Sequence, residues 1–160
     1  MKSRASKGDE GVKLIAANRR AFHDYFILEK LEVGIALHGS ELRPIREGRV
    51  NLKDGFVDAE AGQFWLNDIH IGANPFSNRF DHEPTRRRRL LAHKREIAKW
   101  TEKVKTTGIT IIPLRIYFRT GRVKLEIALV KGKAQYDKRE TIAKRDLKRE
   151  MDRELGGRGR

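Results

Sequence analysis

The sequence predicts a mainly β protein with helices, built as a small closed or half-closed barrel, and three observations predict it. The odd positions of Tyr25 to Leu37 read Tyr25, Ile27, Glu29, Leu31, Val33, Ile35 and Leu37, apolar but for Glu29, while the even ones include Lys30, Glu32, Gly34 and Ala36. That period of two describes a long strand with one face in a core and the other against water or a partner. Gly34 inside the run predicts a bulge or the sharp bend at which a strand leaves one sheet for another. Finally, the further strand-like runs bring the total to about five, with one long helical stripe among them. This set fits an oligonucleotide-binding barrel (OB-fold) with flanking helices and a basic C-terminal tail.

In chain order, residues 1–11 are polar, basic and aperiodic, so they are expected to be disordered. Val12 to Ala17 is short and apolar, an edge strand or a short contact, and leads into the dense polar run Asn18 to Tyr25. After the long strand, Gly39-Ser40 makes a turn and Ser40 is placed to cap a short helix through Arg46, limited by Pro44 and stopped at Gly48. Phe56 to Ala59 and Phe64 to Ile71 flank a glycine-containing turn, as in a hairpin. Gly72 to Asp81 reads as a surface loop. A helix is expected from Pro84, with Leu90, Leu91, Ile97, Trp100 and Val104 as its apolar stripe up to Gly108. Ile109 to Arg119 and Arg122 to Val130 are two more strands across Thr120-Gly121, and Pro113 marks an edge or a bulge. Residues 12–130 thus form the domain. Residues 131–160 form a tail in which eleven basic residues face six acidic ones and large apolar side chains are few, too few to fold alone. Its helix formers and the Glu140/Lys144 pair predict a segment that is disordered alone and helical against a partner.

The 160 residues carry 36 Lys and Arg against 22 Asp and Glu, a formal net charge of +14. Such a field attracts polyanions, nucleic acid first. No basic helix with a broad apolar face and no apolar run of spanning length suggests a membrane. Cysteine is absent, which removes disulfides, thiolate catalysis and thiolate zinc sites, and a cytoplasmic protein is expected. The five histidines lack metal-site spacing, so no metal or other cofactor is expected, and His23 and His70 read as hydrogen-bonding or stacking groups. Lys53, Asp54, Asp58 and Glu60 sit around a turn with no periodic reason to converge, as a two-metal nuclease would need. On the expected helix, Arg86, Arg87, Arg88 and Arg89 lie in the first turns, where the helix dipole disfavours cations. Contact with phosphate explains them, and His93, Lys94 and Arg95 extend the same face.

Several segments in succession, Asn18 to Tyr25, Glu32 to Leu42, Arg46 to Leu52, Pro84 to Leu91 and Gly132 to Arg139, resemble the SsrA-binding protein family, also called small protein B. The resemblance implies an RNA-binding OB-fold that is no enzyme. It implies binding of transfer-messenger RNA and its delivery to stalled ribosomes, with no membrane partner and a monomer as the working unit. The barrel would hold the tRNA-like part of that RNA through Asn18, Arg19, Arg20, His23, Tyr25, Glu32, Arg46, Arg86, Arg88, Leu91 and Lys94. The tail would enter the decoding centre of 16S rRNA and the empty message channel with Lys131, Gly132, Lys133, Tyr136, Asp137, Lys138, Arg139, Lys144 and Arg145. Asn18 and Glu32 are expected to face outwards. Facing RNA, the Glu32 carboxylate would accept from base amino groups or orient a neighbouring arginine. Arg43-Pro44, Glu83 and Ala134 depart from the family pattern and bear on the strength of single contacts. A general single-strand RNA-binding barrel, or a small nuclease using Asp54 and Asp58, are the other classes compatible with the sequence.

Overall fold

The computed structural model of the protein describes residues 11–74, 81–133 and 135–157, the side chains of 135–142 excepted. The N-terminal segment expected to be disordered lies, but for Gly11, outside the described residues, as do 75–80 of the expected loop. Chain order is β1 (Val12–Ala17), α1 (Arg19–Asp24), β2 (Tyr25–Ile35), α2 (Gly39–Arg46), β3 (Val50–Asn51), β4 (Phe56–Glu60), β5 (Gln63–Asn67), β6 (His70–Ile71), β7 (Arg88–Leu91), α3 (Lys94–Val104), β8 (Ile109–Arg119), β9 (Arg122–Gly132) and α4 (Gln135–Gly157). The sheet runs β1-β8-β4-β5-β7-β2-β9, and β9 pairs back onto β8, so six strands form a ring with β1 outside it. The seam between β4 and β8 is narrow, a single register pair of Val57 with Ile111. Two of the turns are two-residue reversals with positive φ at both positions, Ala61-Gly62 and Thr120-Gly121, the twist that hairpin turns require.

The long strand is where expected, but its odd positions do not share one face. Its register against β9 shifts between Ile27 and Glu29, and one extra residue turns the following side chains to the opposite side. Before this bulge, Tyr25 and Ile27 pack with Ala21, Ile112, Leu114, Ala128 and Val130 in a small outer cluster at α1. Beyond it, Val33 and Ile35 join the main core with Phe64, Leu66, Ile111 and Leu125. Gly34 is not the bulge. A Cβ there would stand 3.2 Å from Cβ of Leu91, so this glycine allows β7 to approach closely. The bulge expected at Pro113 is present, between Pro113 and Arg115.

Glu29, the exception in the apolar face, is explained by what lies opposite. Its carboxylate accepts from Lys103 Nζ at 2.7 Å and Lys99 Nζ at 3.0 Å. Those hydrogen bonds outweigh desolvation and hold its carboxyl down at about 2.

Several boundaries differ from the sequence expectation. The dense polar lead-in is helix α1, capped by Asn18. Helix α2 starts after His38, whose N–H donates to the Glu41 carboxylate at 2.8 Å, and Ser40 instead bonds His82 Nδ1 at 3.0 Å. Asp68, with a φ of 58°, ends β5, and His70-Ile71 pairs with the unexpected β3. The largest difference concerns the helix expected from Pro84, which begins at Lys94. Arg88 to Leu91 alternates buried and exposed because it is a strand paired with both β5 and β2. Leu90 and Leu91 therefore leave the helical stripe. Ile97 and Trp100 remain, and the Trp100 ring lies 6.2 Å from that of Phe64. Strand β9 also continues beyond Val130, pairing Lys131 with Phe26 and Gly132 with Tyr25.

Candidate nucleic-acid interface

Leu91 is half exposed because Gly34 beneath it offers no side chain to bury it. It stands between two grooves. One, of about 550 Å³, is lined by Glu32, Arg89, His93, Lys94 and Lys124 among others. The other, of about 590 Å³, includes His38, Leu42, Arg46, Phe118, Arg122 and Lys124. Both also touch Gly34 and Leu91. An apolar ridge between two cation-rimmed grooves suits RNA: bases can pack on the apolar part while the cations meet phosphates. Of the residues expected on the RNA surface, Glu32, Arg46, Leu91 and Lys94 come together here.

A third cleft, of about 400 Å³, opens beside α1 and is lined by Asn18, Arg20, Tyr25, Lys53, Asp54 and Phe56 among others. Tyr25 and Gly34 lie nine residues apart on one strand, roughly 30 Å at strand rise, so this is a separate surface. Arg19 is exposed at the start of α1. Arg20 and His23 both bond the Asp24 carboxylate, at 3.2 and 2.7 Å.

Asn18 does not face outwards. It is 6 % exposed, accepts from the Ala21 amide at 3.3 Å and donates through Nδ2 to Pro113 O at 3.1 Å and Leu52 O at 3.4 Å. Its backbone N–H donates to Leu114 O at 2.7 Å. Cap and interelement bonds together predict that Asn18→Ala lowers stability by about 1–3 kcal/mol. A urea titration measures this, in place of the near-neutral effect expected of an exposed residue.

Arg88 is also misplaced as a phosphate ligand. Its side chain is wholly buried, paired with the equally buried carboxylate of Glu41, and it donates to Arg86 O at 3.0 Å and Pro84 O at 3.2 Å. Arg86 is one-fifth exposed and bonds the same carboxylate and Ala36 O. The arginine run thus holds α2 to β7. Arg87 stacks over Trp65 at 4.6 Å and pairs with Glu60, leaving Arg89 to the groove.

Glu32 accepts from the Tyr117 hydroxyl and pairs with Arg119 at 2.8 Å, so it orients a neighbouring arginine. Burial first, and the hydrogen bond to Glu32 next, push the Tyr117 phenol well above its ordinary range. Arg89, Arg119, Arg122 and Lys124 went unnoticed as site residues. The signal was present, since Arg122, Lys124 and Glu126 alternate with Val123, Leu125 and Ile127 and form the polar side of a strand.

At the root of the tail, Lys131 and Gly132 end β9 and are exposed. The Lys133 amide donates to Asp24 O at 2.9 Å, and its ammonium lies 5.1 Å from the Phe26 ring. Ala134 lies outside the described residues, as do the side chains of Tyr136, Asp137, Lys138 and Arg139, whose backbone belongs to α4. Every described side chain from Ala143 to Gly156 is exposed, Lys144 and Arg145 included. Among the described residues, no group of His, Asp and Glu could hold a metal ion, and no helix is long and apolar enough to cross a membrane. Asp58 bonds Asn67 at 3.1 Å and Glu60 pairs with Arg87.

Comparison with known proteins adds an independent line. The family model described as SmpB protein matches residues 15–157. An SsrA-binding protein of Sulfurihydrogenibium sp. (strain YO3AOP1) is 52% identical over 145 residues, 91% of this chain and 95% of the relative. One of Carboxydothermus hydrogenoformans is 52% identical over 146 residues, 91% of this chain and 98% of the relative. The solved structure "tmRNA-SmpB: a journey to the center of the bacterial ribosome" superposes with a TM-score of 0.65 at 38% identity, covering 79% of this chain and 93% of that one.

Proposed function

The chain belongs to the SmpB protein family, and from that premise we propose that it binds transfer-messenger RNA and brings it to stalled ribosomes for trans-translation. One observation carries the assignment of surfaces: Glu32, Leu91, Lys94 and Arg46, far apart in sequence, line two adjoining grooves under a single ridge. That ridge and its cations are the surface for the tRNA-like part of the RNA. The cleft beside α1 and the root of α4 lie at the other end of β2, so a second RNA can be engaged at the same time. The tail, with Lys131, Lys133, Tyr136 to Arg139, Lys144 and Arg145, occupies the decoding site and the empty message channel. The protein acts by binding, not by catalysing a reaction, and works in the cytoplasm as a monomer.

Binding to transfer-messenger RNA and to an unrelated RNA of equal length, measured at one fixed salt concentration, tests the proposal. The expected result is an affinity at least about a thousandfold higher for transfer-messenger RNA, the low end of the specificity ratios known for nucleic-acid-binding proteins. Equal affinity would identify a general RNA-binding barrel instead.

A further inference from the structure

The outer face of β8, β9 and β2 carries charge in an arrangement the groove alone does not explain. Glu32 and Glu126 are register partners across β2 and β9, a placement that is unfavourable for two carboxylates unless each has a cation. Each has one. Arg115 binds Glu126 through Nε and a terminal nitrogen, at 3.3 and 2.8 Å, and Arg119 pairs with Glu32. Between the two arginines lies Tyr117, 3 % exposed, its ring 5.7 Å from one guanidinium and 5.8 Å from the other. Its hydroxyl reaches across to Glu32.

As a stabilising device this is poor: partly exposed ion pairs contribute little, and here two carboxylates are forced together to form them. As a mount for arginines it is well made. A guanidinium has five N–H donors in a rigid fork, and the Arg119 side chain, gripped by a carboxylate and an aromatic ring, remains 39% exposed. Arg122, its register partner, and Lys124 beside it line the grooves at Leu91, so the face continues the cationic rim.

We propose that Arg119 binds a backbone phosphate of the RNA lying along this rim, and that Glu32 is a positioning residue that acts through Arg119 without touching the RNA. The inference rests on the function proposed above and names how one of its surfaces works. The same geometry assigns Tyr117 the task of holding the Glu32 carboxylate on the side facing Arg119.

A double-mutant cycle on the full chain tests it, reading affinity for transfer-messenger RNA over a series of salt concentrations. Arg119→Ala is expected to weaken binding about tenfold and to lower the salt slope by about 0.7–0.9, the effect of one lost phosphate contact. Glu32→Ala is expected to weaken the wild type several-fold, and the Arg119→Ala protein by less than about twofold, because the two residues act as one unit. Glu32→Gln, which keeps the side chain's shape, repeats the cycle if the alanine variant melts early. An unchanged slope in Arg119→Ala overturns the proposal, and so does an equal loss on Glu32→Ala in both backgrounds, since an independent base contact by Glu32 gives that result. The wild type's preference for transfer-messenger RNA over unrelated RNA is recorded alongside. Its absence counts against the function, while the cycle, read on whichever RNA is bound, still decides the role of Glu32.

Discussion

Replacing Glu41 by Ala is expected to destabilise the protein by about 3–5 kcal/mol, the usual cost of removing one member of a buried ion pair. Typical domains hold about 5–15 kcal/mol in all, so the variant loses a large share of its stability. Burial pushes the Glu41 carboxyl up. Hydrogen bonds from Arg86, the His38 amide and Arg88 outweigh this and hold it below the usual range. Arg88 has no exposed side-chain area, and burial lowers its own pKa against the support of Glu41. Without the carboxylate, a guanidinium remains in the core, paired among the described residues with backbone carbonyls alone. Urea denaturation checks the size of the effect, and a midpoint within experimental error of the wild type would refute the buried pair. The double change Glu41→Leu with Arg88→Met is expected to cost less than Glu41→Ala alone, because no charge is then left buried.

The second large effect concerns the tail. Truncation after Lys133 is expected to leave the melting temperature within a few degrees of wild type and the affinity for transfer-messenger RNA nearly intact, while tagging on stalled ribosomes falls to background. Lys133 is the right place to cut, since Lys131 and Gly132 are still strand residues paired with Phe26 and Tyr25. From Ala143 to Gly156 the helix contributes only exposed side chains, so removing that part uncovers little of the barrel. Tagging in a reconstituted translation system is the measurement, and normal tagging by the truncated protein would leave the tail without the role proposed for it.

Much of the barrel was legible in the sequence because its strands alternate. The pair Ile109–Arg119 and Arg122–Gly132 was found almost to the residue, with Pro113 at its bulge. Two things were hidden by the same cause, partners distant in sequence. The bulge in β2 falls at Leu28, within the run Tyr25 to Leu28 that is apolar at every position and so shows no period of two, and only the register with β9 locates it. Arg88 looked like a phosphate ligand because four consecutive arginines are ordinarily a solvated or RNA-facing run, and its partner Glu41 lies 47 residues away. Leu90 and Leu91 fit both a period of 3.6 and a period of two, so a short run left helix and strand unresolved. In the site, Leu91 and Glu32 came from resemblance, whereas Arg119 and Lys124 could have been taken from the polar side of the last strands. Asn18 was expected to face outwards, whereas it is buried and its amide donates to Pro113 O and Leu52 O, partners that lie far from it in sequence.

The length of α4 has a bearing on distance. A straight helix of 23 residues is about 35 Å long, and the described side chains of its outer half are exposed. Its near end is tied through Lys133 to Asp24. The helix is therefore a ruler with one end fixed to the barrel. The far mark lies at Gly157, and inserting or deleting whole turns, about 5.4 Å each, would move that mark without altering the barrel.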